Sequence, residues 1–522
     1  MKIRSDILRT YQSLHTWTGI VAGLVLFIGF YAGSLTMFED ELTHWATPSH
    51  YHLPQVPTDK LDDLIAKASA SSDKVSQGFT INFSDQLSPI TWFEQGGGRR
   101  LTLDDVKVHG TLSEDGSLVT QTEPANELGN LIDLLHRTAG IAGKLGHEDL
   151  GVVVLGVASV LYFLALVSGI IFLLPTLTKS FFALRKDKGA NRFWLDSHNL
   201  VGVVSLPFHF IIAWTVIVFA FHDVLYDGLS LVYGDEPTFE RVASPAVEYT
   251  MDDLPPISSY LDKVDSLVDG YHLESIAFSG LLSSRPSVGI TLKNNNEMMR
   301  NNTGDFIYLH PYNLNVTYSS IPMSDDEYYV SYVASFFSLH FGGFGGDIGR
   351  WLYFIMGLLG AFLFYSGNLI WLEKRRKKEP IQSLSNRFMA SLTVGVCLGS
   401  MLAVAVTLFS SKWLYFFNAD INYSYLGCYY FVFFAAVIYS FLRGAAVSAI
   451  HIQYASCLAC LFIPLTSVAS HLSASFNQWA SRDFGSVMVD VVAFVFAGIF
   501  YFAAKKTKNR ALNGERNSIW AI

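Results

Sequence analysis

The chain has 522 residues, of which 51% are hydrophobic, 14% aromatic and only 16% charged, with a mean hydropathy of +0.31. Globular proteins carry about 25% charged residues, so this composition excludes an ordinary string of water-soluble domains and predicts a membrane protein. A formal net charge of -9 excludes the basic surface that nucleic-acid binding needs.

In chain order, residues 14–38 are charge-free, too long for a signal-peptide core, and run into Phe38-Glu39-Asp40-Glu41 instead of a small-residue cleavage site. They predict a retained first span, because about 20 apolar residues cross about 30 Å of hydrocarbon. Residues 39–135 hold 6 basic and 16 acidic groups, a net of -10. An amphipathic stretch over 61–68 and alternation in Phe79-Thr80-Ile81-Asn82-Phe83 predict a small α+β domain there. Spans follow over 151–174 and 199–221. A second acidic segment, 223–339, has 5 basic and 17 acidic groups, a net of -12, with a helix expected over 257–268 and a strand over 288–292. The acidity of both segments disfavours anionic ligands. Further spans are expected over 351–372, 388–410, 421–442, 444–470 and 484–504, which makes about eight.

Basic residues mark alternate ends of these spans. Lys2, Arg4 and Arg9 precede the first; Lys179, Arg185, Lys186, Lys188 and Arg192 link the second and third; Lys374 to Lys378 follow the fourth; Lys505, Lys506, Lys508, Arg510 and Arg516 close the tail. Arg443, between spans six and seven, falls on the same side. The positive-inside rule then puts both termini in the cytoplasm and both acidic segments outside. Read this way, the chain divides into 1–38 (N-terminus and first span), 39–135 (first external domain) and 136–222 (spans two and three). Then come 223–339 (second external domain), 340–378 (span four), 379–504 (a four-span extension) and 505–522 (tail).

Four histidines sit near span starts, each with nearby glycine: His15 with Gly19, His136 with Gly140, His198 with Gly202, and His340 with Gly342 and Gly343. In the first three the glycine is one helical turn away on the same face, and Gly23 repeats the position. Such a gap beside an imidazole suits a flat macrocycle. Topology pairs His15 with His198 at the cytoplasmic side and His136 with His340 at the outer side, and two facing imidazoles are the minimal axial set for a haem. His209, mid-span, is an alternative ligand, a proton relay or a hydrogen-bond donor between the haems by its intramembrane position. His222 is a second alternative for the outer pair, while His451 and His471 are read as structural. Gly33-Ser34, Ser168-Gly169 and Ser366-Gly367 are read as close-packing positions, with room for a haem edge as the alternative, and Arg350 as a partner for a haem propionate or an interfacial anchor. Cys397, Cys428, Cys457 and Cys460 all lie in apolar stretches, and ordinary packing is expected of the Cys457–Cys460 pair. Gly96-Gly97-Gly98-Arg99-Arg100 lacks the context of a phosphate loop, and no protease, hydrolase or dinucleotide motif is present.

The segments Leu14-His15-Thr16-Trp17-Thr18-Gly19, Leu135-His136-Arg137, Ser338-Leu339-His340-Phe341-Gly342-Gly343, Gly349-Arg350 and Ser366-Gly367-Asn368-Leu369-Ile370-Trp371-Leu372-Glu373-Lys374-Arg375 resemble the PepSY-associated transmembrane family over roughly residues 8–378. The resemblance implies a polytopic α-helical bacterial inner-membrane protein with two periplasmic PepSY-like domains. It further implies two haem b groups held by His15, His198, His136 and His340. The implied activity is that of a ferric-siderophore or ferric-chelate reductase, fed by a membrane quinol or a cytoplasmic electron donor. A haem-free sensor regulated through its PepSY-like domains is one alternative. An electron carrier serving copper or another periplasmic acceptor is the other. The spans beyond residue 388 exceed the four-span members of that family.

Overall fold

The structure, a computed structural model, describes residues 4–84, 87–97, 103–146, 148–176, 184–185, 189–233, 249–377, 381–417, 419–472, 479, 483–516 and 518–522. Of the basic and glycine positions singled out above, Lys2, Lys179, Lys186, Lys188, Lys378 and Gly98-Arg99-Arg100 lie outside them. The chain forms two compact units. One gathers the chain up to Ala46, Leu128–Leu225 and Leu352–Ile522; the other gathers Thr47–Glu127 and Tyr226–Trp351.

The first unit opens with helix α1 (Ser5–Leu35), continued through a short 3-10 turn into α2 (Glu39–Ala46). Thr18, Ala22, Leu26 and Phe30 recur every four residues and are buried, so one stripe of α1 faces the bundle. The second unit then takes over with α3 (Leu61–Ser71) and strands β1 (Gly78–Asn82), β2 (Ile90–Gln95), β3 (Val106–Leu112) and β4 (Leu118–Pro124). The chain returns to the first unit with the short α4 (Leu128–Thr138), α5 (Leu150–Leu173), α6 (Ala190–Val204) and α7 (Leu206–Tyr233).

Helices α1 and α5 run antiparallel. Gly29 lies against Leu155 and His15 against Ala165 and Gly169. The expected span 199–221 is not one straight helix: α6 and α7 meet at Ser205 with a bend of 71°. Pro207 follows directly, in the first turn of α7, where a missing N–H costs nothing.

The second unit resumes with α8 (Ile257–Leu267) and strands β5 (His272–Ser279), β6 (Ser287–Lys293), β7 (Asp305–Leu309) and β8 (Val316–Ser319), then α9 (Tyr328–Phe341). These eight strands make one antiparallel sheet in the order β8-β7-β6-β5-β1-β2-β3-β4. The central pairing joins β1 to β5 from Gly78–Ser279 to Asn82–Ser275. The two acidic segments, read separately from the sequence, thus each contribute a helix and four strands to a shared sheet. Ile81, Ile90, Ile276, Ile290 and Ile307 are fully buried in the same core as Leu64 and Ala68 of α3 and Ile257, Tyr260 and Val264 of α8. Alternate burial along β7 is what a strand with one covered face requires. Asp62 of α3 accepts the Ile257 N–H at 2.9 Å, which ties the two halves at their helices.

Helix α10 (Gly346–Arg376) leads back to the first unit. There the extension adds α11 (Leu384–Thr393), a π-helical turn over Val394–Leu398, α12 (Gly399–Phe416), the 52-residue α13 (Ile421–Leu472) and α14 (Phe484–Asn513). Among the described residues six helices are long and apolar enough to cross a membrane, or seven if the bent α6–α7 pair counts as one span. α13 would be about 78 Å long if straight. It is broken at Gly444 (φ 75, ψ 161), and Tyr439 before the break stacks on His451 after it, at 6.0 Å between ring centroids. The two arms therefore double back on each other. Large apolar side chains such as Val157, Phe431, Leu442 and Phe494 are exposed on these helices, the surface that a hydrocarbon solvent stabilises.

Candidate functional site

His15 of α1 and His198 of α6 meet inside the first unit, with ring centroids 6.2 Å apart and ring planes at 78°. Their orientations are fixed by helices on either side. His15 Nδ1 donates to the Ala165 carbonyl of α5 at 2.8 Å. His198 Nδ1 lies 3.0 Å from Ser366 Oγ of α10, and Ser366 Oγ itself donates to the Leu363 carbonyl, so the imidazole N–H donates to the hydroxyl. With Nδ1–H committed in both rings, each Nε2 keeps its lone pair, the tautomer that a metal ligand needs.

His136 follows the same rule: its Nδ1 donates to the Gly29 carbonyl of α1 at 2.9 Å. It sits on the short α4, not at the start of the second span as expected. His340 is likewise on the short α9 and not on the following span, and its ring packs edge-on against Phe341 at 5.2 Å. His340 and Arg350 belong to the second unit, where Arg350 pairs with Asp347 one turn earlier at 3.5 Å. From His15 to Gly29 is fourteen residues, about 21 Å along α1, so the His15–His198 pair and the His136 ring meet α1 at two well-separated levels.

His209 on α7 is 0% exposed, and neither ring nitrogen has a hydrogen-bond partner. Phe30, Tyr162 and Phe208 surround it at 5.3–6.0 Å between ring centroids. The Tyr162 hydroxyl and both amide atoms of Asn368 are also buried and unpartnered. An unpaired buried polar group costs roughly 1–3 kcal/mol, so these groups do not stabilise the bundle as they stand. His222 is exposed and its Nδ1 donates to the Phe219 carbonyl of its own helix. His451 contacts Tyr439, and His471 Nδ1 donates to the Ser467 carbonyl. Cys457 and Cys460 pack with Ala405, Ala497 and Phe500.

The glycines in contact with the imidazoles are not the ones at His+4. A Cβ on Gly19 would meet nothing within 4 Å, and one on Gly202 would touch only Leu363. A Cβ on Gly169 would come within 3.0 Å of His15 Nδ1, on Gly33 within 2.5 Å of His136 Nδ1, on Gly360 within 3.0 Å of His209 Cε1, and on Gly367 within 3.6 Å of His198 Cε1. Each of these four imidazoles is backed by a glycine of a neighbouring helix. The small residues of the Gly-Ser and Ser-Gly pairs therefore do more than let helices approach.

A haem would fit the donor chemistry of this interior. Among the described residues no group of three or more His, Cys, Asp or Glu gathers to hold a metal ion by itself. Two imidazoles with free Nε2 lone pairs suit an iron whose other ligands come from a macrocycle. The sequence singled out His15 and His198 but missed the Ala165 and Ser366 partners. Only the tertiary fold brings together positions 150 and 168 residues apart.

The fold and site define a multi-pass α-helical membrane protein with paired histidines inside its bundle and a β-sheet unit built from the loops. Residues 12–374 match the model of the PepSY-associated TM region, about 70% of the chain, and the protein belongs to that family. No curated protein matches it.

Proposed function

We propose that the protein is a di-haem reductase of the bacterial inner membrane, carrying electrons from the cytoplasmic side to a ferric siderophore or other ferric chelate in the periplasm. The observation that carries this reading is the His15–His198 pair, two edge-to-face imidazoles on different helices with both Nδ1–H groups engaged. His15 and His198 would hold one haem b, and His136, its Nδ1–H engaged on the Gly29 carbonyl, would offer an axial ligand to a second. Bound there, the haems supply one-electron transfer. The chain's own contribution is to fix each ring by its Nδ1 hydrogen bond, to exclude bulk from behind it with glycine, and to keep the interior apolar enough to tune the potential.

The reading includes eight crossings, with α13 counted as two because of its break at Gly444, both termini in the cytoplasm and the sheet unit in the periplasm. Reduction is a sensible chemistry for such a chelate, because hard oxygen donors hold Fe(III) far more tightly than Fe(II).

The test is an absorption spectrum of the full chain purified after haem-replete expression, before and after dithionite. Reduced b-type bands at two haems per chain, reoxidised by a ferric siderophore, are expected. A spectrum without haem overturns the reading in favour of a haem-free sensor. Reoxidation by cupric ion and not by ferric chelate retains electron transport and removes the substrate assignment.

A further inference from the structure

A cavity of about 290 Å³ opens at the end of the first unit that carries the basic residues. Its wall joins the family region to the extension: Asn191 of α6, Glu373, Arg376 and Lys377 at the end of α10, and Arg510, Glu515 and Trp520 from α14 and the tail. Asn191 precedes His198 by seven residues on α6, and Glu373 follows Ser366 by seven on α10. Each interval is two helical turns, about 10 Å. The cavity is thus rooted on two of the helices that orient the His15–His198 pair.

Its charges are organised. Glu373, almost wholly buried, accepts from Arg376 Nε at 3.1 Å and from Arg510. Arg376 also pairs with Glu515, whose side chain is 74% exposed. A carboxylate so open to water is a weak partner, and a bound anion can take its place on Arg376. Lys377 adds an exposed cation, so three cations face two carboxylates, one of them displaceable. Trp520 supplies an aromatic wall and is itself anchored in the core that includes Leu369, Leu372 and Ala449.

We infer that this cavity is the electron-entry site and that it binds a reduced flavin mononucleotide, the isoalloxazine ring beside Trp520 and the phosphate on Arg376 and Lys377. The inference rests on the electron-carrier reading above and names its donor. A relay that accepts electrons singly needs a donor able to release them singly, which disfavours a hydride donor. A quinol is uncharged and enters from the lipid, so it has no use for a cationic cavity at the aqueous end. The dihydroflavin gives up two electrons in sequence and two protons to the cytoplasm, and leaves oxidised. Two ferric chelates on the far side each gain one electron and become ferrous.

The experiment is anaerobic calorimetric titration of the dithionite-reduced full chain in nanodiscs with reduced flavin mononucleotide, reduced riboflavin and ADP, which requires no turnover. Flavin mononucleotide is expected to bind about tenfold more tightly than riboflavin, the value of one charge-assisted contact, and more tightly than ADP. Lys377→Glu should erase the preference over riboflavin. Glu515→Gln should strengthen flavin mononucleotide binding and leave riboflavin unchanged. Both positions are exposed, so the variants should fold as the parent does. Equal affinity for flavin mononucleotide and riboflavin, ADP binding as tight as the flavin, or indifference to both substitutions overturns the inference. Haem content is measured on the same samples. A haem-free protein that still shows this flavin pattern sinks the electron-carrier reading and keeps the flavin site, whereas a haem-loaded protein that ignores flavin does the reverse.

Discussion

His15 and His198 are held edge to face, 6.2 Å apart, by acceptors on two further helices, Ala165 on α5 and Ser366 on α10. Four helices thus converge on one pair of rings. If that pair is an axial set, His15→Ala and His198→Ala should each lower the haem content of the purified chain by half. Each should also leave one b-type redox transition in a potentiometric titration. His136→Ala should remove the other transition. His209→Leu discriminates further: retention of both haems is expected, and loss of the outer one would show that His209, with its two unpartnered nitrogens, is the true outer ligand.

Gly33 and Gly19 give a matched pair of substitutions on one helix. Gly33→Ala places a methyl 2.5 Å from His136 Nδ1, in the space beside the Nδ1–Gly29 bond. Overpacking of this kind costs about 1–3 kcal/mol. Gly19→Ala meets nothing within 4 Å, and a surface change of that sort stays within about 0.5 kcal/mol. Denaturant titration of the two variants in the same detergent should separate them. Equal stability would mean that α1 does not back the His136 ring.

These glycines also mark the limit of what the sequence discloses. Hydropathy and the basic loops outline the spans, because hydrocarbon thickness and membrane asymmetry act on composition alone. Helix α3 before β1 and α8 before β5 are legible from their periodicity. The spacing His15–Gly19 is legible too, whereas the glycine that touches His15 is Gly169 on another helix. The β1–β5 pairing, the Ser366 acceptor and the Arg510–Glu373 ion pair join positions far apart in the chain, and no local pattern encodes them.

Gly444 permits a direct test of the doubled-back helix. Its φ of 75° with ψ of 161° lies in a region that is essentially open to glycine alone, and other residues there cost roughly 1–3 kcal/mol. Gly444→Ala should destabilise the chain by that amount and separate Tyr439 from His451. A cysteine pair at these two positions should cross-link readily in the parent and poorly in the variant. Efficient cross-linking in both would mean that the arms are held by packing independent of Gly444.

In the sheet unit, Asp305 predicts a pH dependence. Burial holds its carboxyl above the usual carboxylate range, against hydrogen bonds from the Arg300 N–H, at 2.9 Å, and the Ser320 hydroxyl, at 2.8 Å. A group raised in this way binds its proton more tightly folded than unfolded. Its contribution to stability is fully present below the unfolded value of about 3.9 and is lost as pH rises through the folded value. Hydrogen exchange of β7, corrected for the intrinsic rate, should therefore show local stability declining from about pH 4 upward. Asp305→Asn should flatten that decline. An unchanged slope would assign the effect to another group.

The extension is fastened to α2 by a buried cation, and this gives the largest expected effect. Lys412 of α12 is 2% exposed, with Nζ 3.0 Å from Ser467 Oγ of α13 and 4.0 Å from the Trp45 ring centroid of α2. Asp490 of α14 accepts from the same Ser467 hydroxyl at 3.0 Å and from Trp45 Nε1 at 3.1 Å. Four helices therefore share one network whose positive and negative members are joined through Ser467. Lys412→Met removes the cation and leaves the Asp490 charge without its counterpart, a change that typically costs about 3–5 kcal/mol. Adding Asp490→Asn removes the stranded charge while Ser467 and Trp45 keep an acceptor. The double variant should therefore recover most of the loss. Denaturant titration of the single and double variants measures the coupling directly. A double variant as unstable as the sum of its parts would show that Lys412 acts through packing on Trp45 and not through charge.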